Sequence, residues 1–233
     1  MAKSQNLNFT QNINNVSLQF NSSDTYQAIQ VAVTSAGSNL TPGTRTFTLA
    51  GGTTVSGGVG AATFTMVAKG AAGAAYVASP VTMVSPGDYT VGNGPTAAAN
   101  AATVDSGTTN ATFAVTVGIL KTLYTSSTND AVVKAINVSS TDTAARIMTL
   151  WEQDPSSGVM NIIGSINIPA SAGTGSGTTA SIDLLGGTLL PSLPYDSNGK
   201  RVLPLKVGAK LLVSLPAVTA STFLSVSAVV EEY

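Results

Sequence analysis

Few residues in this sequence could perform chemistry, and the carboxylates Glu152 and Asp154 are the first candidates. Histidine and cysteine are absent, which excludes Ser-His-Asp chemistry, thiolate catalysis, disulfides and the usual zinc ligands. Two nearby carboxylates are what glycoside hydrolysis uses, on either side of a sugar-sized cleft. Trp151 is the only tryptophan that could line such a cleft. We therefore favour a solvated hairpin end for both acids and expect no enzymatic activity.

Glycines and aspartates offer two further kinds of site, but their neighbours favour ordinary loops. Glycines alternate over Gly173–Gly177, without the lysine of a P-loop or a predicted helix after them, so a mobile loop is the favoured interpretation. Asp154, Asp183 and Asp196 fall near predicted loops and could offer oxygen ligands to calcium. Their spacing is not that of an EF-hand or an aspartate-rich repeat. We expect no metal and no cofactor.

Two segments are candidates for contact with other proteins. The basic residues Lys200, Arg201, Lys206 and Lys210 are the one cluster of positive charge in the sequence. They either protect a solvated sheet edge from strand addition or dock on an acidic neighbouring protein.

The second candidate is the polar arm of residues 1–15, which is rich in Asn and Gln and has Leu7, Phe9 and Ile13 as its apolar anchors. Alone, the arm cannot bury enough surface to offset the entropy of ordering it. It is either a disordered tail or an edge strand added to a neighbour, with the three anchors facing inward.

The overall charge and hydropathy narrow the classes of partner. The formal net charge is −1 and charged residues make up only 9% of the 233 residues, whereas a free nucleic-acid binder normally has a basic excess. No run approaches the ~18 apolar residues of a membrane span. We therefore expect neither a nucleic acid nor a membrane as partner, and a weakly charged surface suits a protein that works inside an assembly.

Short strands separated by turn residues dominate the predicted secondary structure. Alternating or β-branched runs occur at residues 16–20, 28–35, 44–50, 62–68, 111–118, 144–153, 159–170, 180–185, 209–215 and 222–230. The Ala-rich stretches 70–78 and 97–102 lack an apolar stripe at helical spacing and are predicted to be loops. The sequence therefore predicts an all-β protein made of two antiparallel β-sandwich domains.

Charge distribution places the predicted boundary between these domains near residue 118. Only six charged residues precede it, and Gly118 is predicted to end one strand before Ile119 begins the next. The domains are then 1–118, with the polar arm, and 119–233, whose seven or eight predicted strands suggest a jelly-roll-like or Ig-like sandwich. In this second domain we predict a hairpin turn at residues 154–158, a long ordered loop at residues 190–205 and a buried side chain for Trp151.

The stretch LKTLYTSSTNDAVVKAINVSS, residues 120–140, is predicted to be a strand, a turn and a strand, forming a hairpin at the edge of a sandwich. Together with segments 141–145, 168–170 and 203–215, it resembles a β-sandwich module of tailed-bacteriophage virion proteins. The resemblance covers residues from about 119 to 233. It implies a non-enzymatic structural protein of the head or tail, and no catalytic residue.

This resemblance leads to the functional expectation. We expect a capsid decoration (cement) protein on the virion surface that binds the lattice of the major capsid protein and other copies of itself, for example as a trimer. The alternative is a tail or fibre protein with a domain that binds a host receptor. A glycan-cleaving enzyme is the third class.

Overall fold

The chain forms β-strands joined by turns and loops, and no helix occurs in the part of it that the structure describes. The computed structural model describes residues 12–36, 42–49, 51–70, 76–90, 100–101, 103–104, 111–174, 180–186 and 189–233. Within these ranges the strands are β1 (Asn12–Asn21), β2 (Gln27–Ser35), β3 (Gly43–Thr48), β4 (Thr63–Lys69), β5 (Tyr76–Ser85), β6 (Asn100–Ala101), β7 (Thr103–Val104), β8 (Thr112–Thr125), β9 (Ala131–Ser140), β10 (Arg146–Gln153), β11 (Met160–Ile168), β12 (Ile182–Asp183), β13 (Leu203–Leu205), β14 (Lys210–Leu215) and β15 (Phe223–Glu232). The prediction of an all-β protein is confirmed.

Two antiparallel sheets surround the main hydrophobic core. The first sheet has the strand order β1-β15-β9-β12, with β13 also paired to β9, and the second has the order β11-β10-β14-β8-β2, with β6 also paired to β8. Alternating side chains of both sheets meet in one cluster, as Ile136 on β9 and Leu150 on β10 illustrate, each with 0% exposure. Burying each such side chain contributes about 1.5–3 kcal/mol, so this core is a main source of stability.

A second cluster lies between the first half of β8, β2 and a third sheet of order β5-β4-β3-β7. Its centre is three phenylalanines: Phe47 and Phe64 stack with ring centroids 5.3 Å apart, and the Phe113 ring meets that of Phe64 edge-on at 4.9 Å. Buried Tyr89 completes this cluster, and its hydroxyl accepts a hydrogen bond of 2.8 Å from the Ala62 N–H.

Strand β8 runs without interruption through residue 118, so the predicted strand break at Gly118 is wrong. Its first half contributes Phe113 and Val115 to the second cluster, and its second half contributes Ile119 and Leu123 to the main core. A Cβ atom at Gly118 would lie 2.5 Å from the Leu215 carbonyl oxygen. The glycine is therefore there because a neighbouring backbone passes close by, not because the strand ends.

The stretch at residues 120–140 is also not a hairpin. Strand β8 pairs with β14 in the second sheet, whereas β9 pairs with β15 in the first. The polar segment 126–130 therefore crosses from one sheet to the other, and contacts with segment 206–209 fix it: Ser126 N–H donates to the Ala209 carbonyl at 3.0 Å, and Val207 N–H donates to Asp130 Oδ1 at 2.9 Å. Local alternation predicted both strands correctly but carries no information about the partner of each.

The predicted hairpin at residues 144–170 is confirmed. Strands β10 and β11 are paired antiparallel, and Gly158 adopts φ 68° in the turn between them. Asp154 organises this turn, because its Oδ1 accepts hydrogen bonds from the Ser156 and Ser157 amides at 3.0 and 2.8 Å. The burial predicted for Trp151 is confirmed too, since its side chain is 4% exposed.

Strand β1 corrects part of the predicted arm. Residues 12–15 belong to β1 and pair with Val229–Glu232 of the same chain, so they are not free to order only on assembly. Phe20 of the same strand lies in the main core. The domain boundary near residue 118 stays a prediction. It would place β1 and its partner β15 in different domains.

The long loop predicted at residues 190–205 is largely irregular and ends in the short strand β13, which pairs with β9. The predicted Asn198-Gly199 turn is present, with Gly199 at φ 72° and the Asp196 N–H donating to the Lys200 carbonyl at 2.8 Å.

Strand β5 was predicted in part as a loop, but it pairs with β4. The described residues include no helix long and apolar enough to cross a membrane.

Candidate functional site

The structure places the predicted basic cluster at two locations. Lys200 and Arg201 line a cavity of about 460 Å³ on the side of the first sheet, with Lys134 of β9. Lys210 begins β14 in the second sheet and lines a different cavity. Lys206 is exposed between them, in the turn after β13. These basic residues therefore do not line one common cavity, and their role in binding an acidic partner stays a prediction.

Arg201 has an internal role that the sequence did not reveal. Its Nη1 donates hydrogen bonds to the carbonyl oxygens of Leu190 and Pro191, at 3.0 and 2.7 Å, and its guanidinium carbon lies 4.7 Å from the centroid of the Tyr195 ring. One planar cation therefore holds together a loop that has little regular structure of its own.

Charges beside this loop are balanced. Lys134 Nζ lies 3.3 Å from Glu231 Oε2 and 3.6 Å from Asp196 Oδ2. The pKa of Asp196 is lowered from its ordinary value, first by the hydrogen bond from the Lys200 amide. The cavity itself is lined by Asp183 as well as by the three cations, and so does not present a single sign of charge to a ligand.

One of the three apolar anchors of the predicted arm, Ile13, belongs to the described residues. Leu7 and Phe9 lie outside the described residues, and Ile13 lies on β1 with 60% of its surface exposed. The inward-facing row of β1 instead consists of Asn14, Val16, Leu18 and Phe20. Ile13 thus belongs to the outward row of its own sheet.

A concave surface lies around Trp151, on the side of the second sheet that faces away from the main core. Two adjoining cavities of about 530 and 320 Å³ share Ile29, Gln30, Trp151 and Ile162 in their walls. We call these two cavities together the Trp151 groove. Strand β5 extends the larger cavity through Met83.

Alternation along β10 builds this groove. Met148 and Leu150 point into the main core, so Ile147, Thr149 and Trp151 point to the opposite face. A register shift between Leu150 and Trp151 interrupts the ladder to β11 at this point. Such irregularities commonly redirect a side chain next to a binding surface.

Trp151 is held in a fixed orientation. Its indole packs with Ile29 of β2 and Leu212 of β14 in a small separate cluster. Its Nε1 donates a hydrogen bond of 2.8 Å to Ser214 Oγ, which satisfies the one polar group of the indole. With only 4% of its surface exposed, the indole forms the floor of the groove and is not a free stacking platform.

The chemistry available in the groove is limited to neutral contacts. None of the described residues that line its two cavities is ionisable. Proton transfer needs a titratable group within hydrogen-bond reach of the substrate, and activation of a hydroxyl needs an adjacent base. These walls supply neither, whereas they can bury apolar side chains and hydrogen-bond to a neutral partner.

The carboxylates considered for catalysis or calcium serve their own loops. Asp154 caps the β10–β11 turn, and hydrogen bonds from Ser156 and Ser157 lower the pKa of its carboxyl group. Asp183 Oδ1 accepts from the Leu185 amide and Asp196 Oδ1 from the Lys200 amide, at 3.1 and 2.9 Å. Across the described residues, no group of three or more acidic side chains is arranged to hold a metal ion.

One carboxylate that the sequence analysis missed is fully buried. Asp142 has 0% side-chain exposure and accepts hydrogen bonds from Arg146 Nε at 2.7 Å, from the Thr219 amide at 3.0 Å and from the Ala144 amide at 3.0 Å. Burial raises the pKa of this carboxyl group, but the hydrogen bonds outweigh burial, so the pKa lies well below its ordinary value. The sequence signal was a DxxxR spacing, which is too common to single out.

Comparison of the chain with models of protein families, with curated protein sequences and with solved structures found no match in any of the three.

Proposed function

We propose that the chain is a non-enzymatic structural protein of a tailed-bacteriophage virion, and specifically a capsid decoration protein that binds and stabilises the lattice of the major capsid protein. The resemblance of residues 119–233 to virion β-sandwich modules supports this proposal. The proposal includes two antiparallel β-sandwich domains, one around each hydrophobic cluster, with the C-terminal one jelly-roll-like or Ig-like.

The observation that carries the proposal is the exposed apolar surface at the Trp151 groove. Ile147 and Ile162 are 60% and 53% exposed, and both line the groove. Fully burying an exposed isoleucine side chain contributes about 1.5–3 kcal/mol. Only about half of each of these side chains is still exposed, so a partner that covers both would gain roughly 2–3 kcal/mol. Contiguous exposed apolar surface beside a groove is a feature of interaction sites.

The absence of ionisable side chains from the described lining of the groove supports an assembly role over catalysis. An active site for glycan cleavage needs two carboxyl groups beside the bound sugar, and the described lining of the Trp151 groove has no carboxyl group. A decoration protein needs only modest contacts at each site, because many copies on one lattice, or linked copies, convert weak contacts into tight attachment. The geometry of the groove fits this second requirement.

Counting copies is the experiment that tests the location. Quantitative mass spectrometry of purified particles that contain this chain should find hundreds of copies per particle, in a fixed ratio to the major capsid protein. Tens of copies or fewer would refute a decoration role and would favour a tail or fibre protein with a receptor-binding domain.

A reconstitution experiment tests the surface. The purified chain should bind capsids that lack it, and the variant Ile147→Asp/Ile162→Asp should lose retention on those capsids because two charges would have to be desolvated at the interface. Val59→Asp is the matched control, since Val59 is 66% exposed but does not line the groove. Equal retention of the groove variant and the wild type would refute the assignment of this surface.

A further inference from the structure

Strand β1 has one paired edge and one open edge in the described part of the chain. It pairs with β15 along its whole length, from Asn12 opposite Glu232 to Asn21 opposite Phe223, without a register shift. β15 is its only partner among the described strands. An open edge presents a row of backbone N–H and C=O groups that another strand can bind.

Hydrogen bonds at the end of β1 identify which residues face the open edge. The Asn21 N–H donates to Asp24 Oδ2 at 2.7 Å, and the Gln19 carbonyl accepts from Lys121 Nζ at 2.6 Å. Neither group is therefore directed at β15. In an antiparallel strand the N–H and C=O of one residue point to the same edge, and successive residues alternate between the two edges. The backbone groups of residues 13, 15 and 17 therefore face the open edge, as those of residues 19 and 21 do.

The two ends of this edge are protected differently. At the C-terminal end, Lys121 and Asp24 form an ion pair of 2.7 Å and occupy the groups of Gln19 and Asn21. Proteins commonly protect an edge with charged residues, proline or a bulge. From Asn12 to Leu18 the strand has no charged residue, no proline and no bulge.

We propose that two copies of the chain associate through this unprotected segment of β1, antiparallel and related by a twofold axis near Asn15. In this register Asn15 of each copy exchanges both backbone hydrogen bonds with Asn15 of the other, and Ile13 lies opposite Ser17 of the second copy. The side chains of all three residues are exposed and available. This inference concerns a contact between copies and does not depend on the virion role.

Electrostatics favour a second copy as the occupant. A twofold contact places the same segment on both sides, so any charge on it would face a like charge, and this segment has none. The formal net charge of −1 also leaves little repulsion between whole copies as they approach. A self-complementary, uncharged edge is therefore suited to pairing with itself.

Proline substitution tests the edge directly. Ser17→Pro removes an N–H that faces the open edge but leaves the ladder to β15 intact, and proline is tolerated at such edge positions. Analytical ultracentrifugation from micromolar to hundreds of micromolar protein should show a wild-type dimer. Ser17→Pro should weaken that dimer on the order of tenfold or more, with a melting temperature close to that of the wild type.

The matched control is Val16→Pro, which removes an N–H directed at β15 and should lower the melting temperature clearly. Hydrogen exchange of the wild type supplies a second measurement that needs no variant. Protection of the Asn15 and Ser17 amides should rise with protein concentration, whereas the Val16 amide should be protected at every concentration.

Charge variants keep the proposal testable if the proline variant fails to fold. Asn15→Lys/Ser17→Lys and Asn15→Glu/Ser17→Glu should each be monomeric, and an equimolar mixture of the two should recover dimers. A monomeric wild type over the whole range would overturn the proposal, even if the segment bound another protein. So would a wild-type dimer that these charge variants leave intact, because the interface would then lie elsewhere.

Discussion

Asp142→Asn is the substitution with the clearest expected effect on stability. The Asp142 carboxylate has no exposed surface and joins the start of β10, through Arg146, to the loop before β15, through Thr219. Asparagine has nearly the same volume, so packing is preserved. The change removes the negative charge and puts an NH₂ group beside the Arg146 guanidinium and the Thr219 and Ala144 amides, which are donors.

The expected loss follows from these contacts. Removing one member of a buried ion pair costs about 3–5 kcal/mol, because the other charge stays in the interior without its partner. Arg146 retains 21% side-chain exposure, so water can solvate part of the guanidinium. We therefore expect the lower end of this range, about 3 kcal/mol, for Asp142→Asn at neutral pH.

Urea unfolding measured as a function of pH is the appropriate assay. The pKa of Asp142 is lower in the folded chain than its ordinary value, so its ionisation stabilises the fold above the unfolded pKa of about 3.9. That contribution is lost as the pH falls below about 4 towards the folded pKa. The free-energy difference between wild type and Asp142→Asn should therefore be largest at neutral pH and should shrink in acid.

Two results would refute this reasoning. One is a difference below about 1 kcal/mol at neutral pH, and the other is a difference that does not change between neutral and acidic pH. Glu152→Gln is the control and should change the free energy of unfolding by less than about 0.5 kcal/mol. In a double-mutant cycle, Arg146→Met combined with Asp142→Asn should destabilise the chain less than the sum of the two single changes.

Three further predictions follow from buried contacts. Trp151→Ala should cost about 3–5 kcal/mol in urea unfolding, and the wild type should show blue-shifted tryptophan emission; emission at the wavelength of hydrated indole would contradict its burial. Gly118→Ala should cost about 1–3 kcal/mol, because the added Cβ would lie 2.5 Å from the Leu215 carbonyl oxygen. An unchanged melting temperature would disprove that close approach. Burial, followed by the hydrogen bond to Glu232, raises the pKa of Tyr124. In an absorbance titration, part of the tyrosine signal should therefore change only at a pH above the ordinary tyrosine range, and Tyr124→Phe should remove some of that late change.

The sequence predicted the strands of the second half better than the elements of the first. In β10, Met148 and Leu150 alternate with Thr149 and Trp151, and the Asp154–Gly158 turn has a recognisable composition, so both strands of this hairpin were found. Strand β5 has fewer local signals and depends on its pairing with β4. Of the predicted interaction residues, Lys200 and Arg201 line one cavity, whereas Lys210 lines another.

The Trp151 groove was not predicted as a site because its walls come from distant parts of the chain. Ile29 on β2, Met83 on β5 and Ile162 on β11 meet there, and none of them carries a chemical group that marks a site. Asp142 does carry such a group, but the local sequence does not show that its carboxylate is buried. Its partner Thr219 is separated from it by 77 positions, and only the fold brings the two side chains together.

What the sequence by itself determined is the type of structure: alternating apolar residues with period two, interrupted by Gly, Pro and Asn turns, can bury their apolar side chains only as β-strands. Alternation also determined that Trp151 and Leu150 point to opposite faces of β10. Tertiary structure alone decided which strands pair. β8 and β9 have a short polar connection that fits either a hairpin or a crossing between sheets. The crossing forms because β8 pairs with β14 and β9 with β15, and each pairing buries its strand in the core. Both partners lie more than 70 residues further along the chain, so the sequence around residues 120–140 does not show which partner each strand takes.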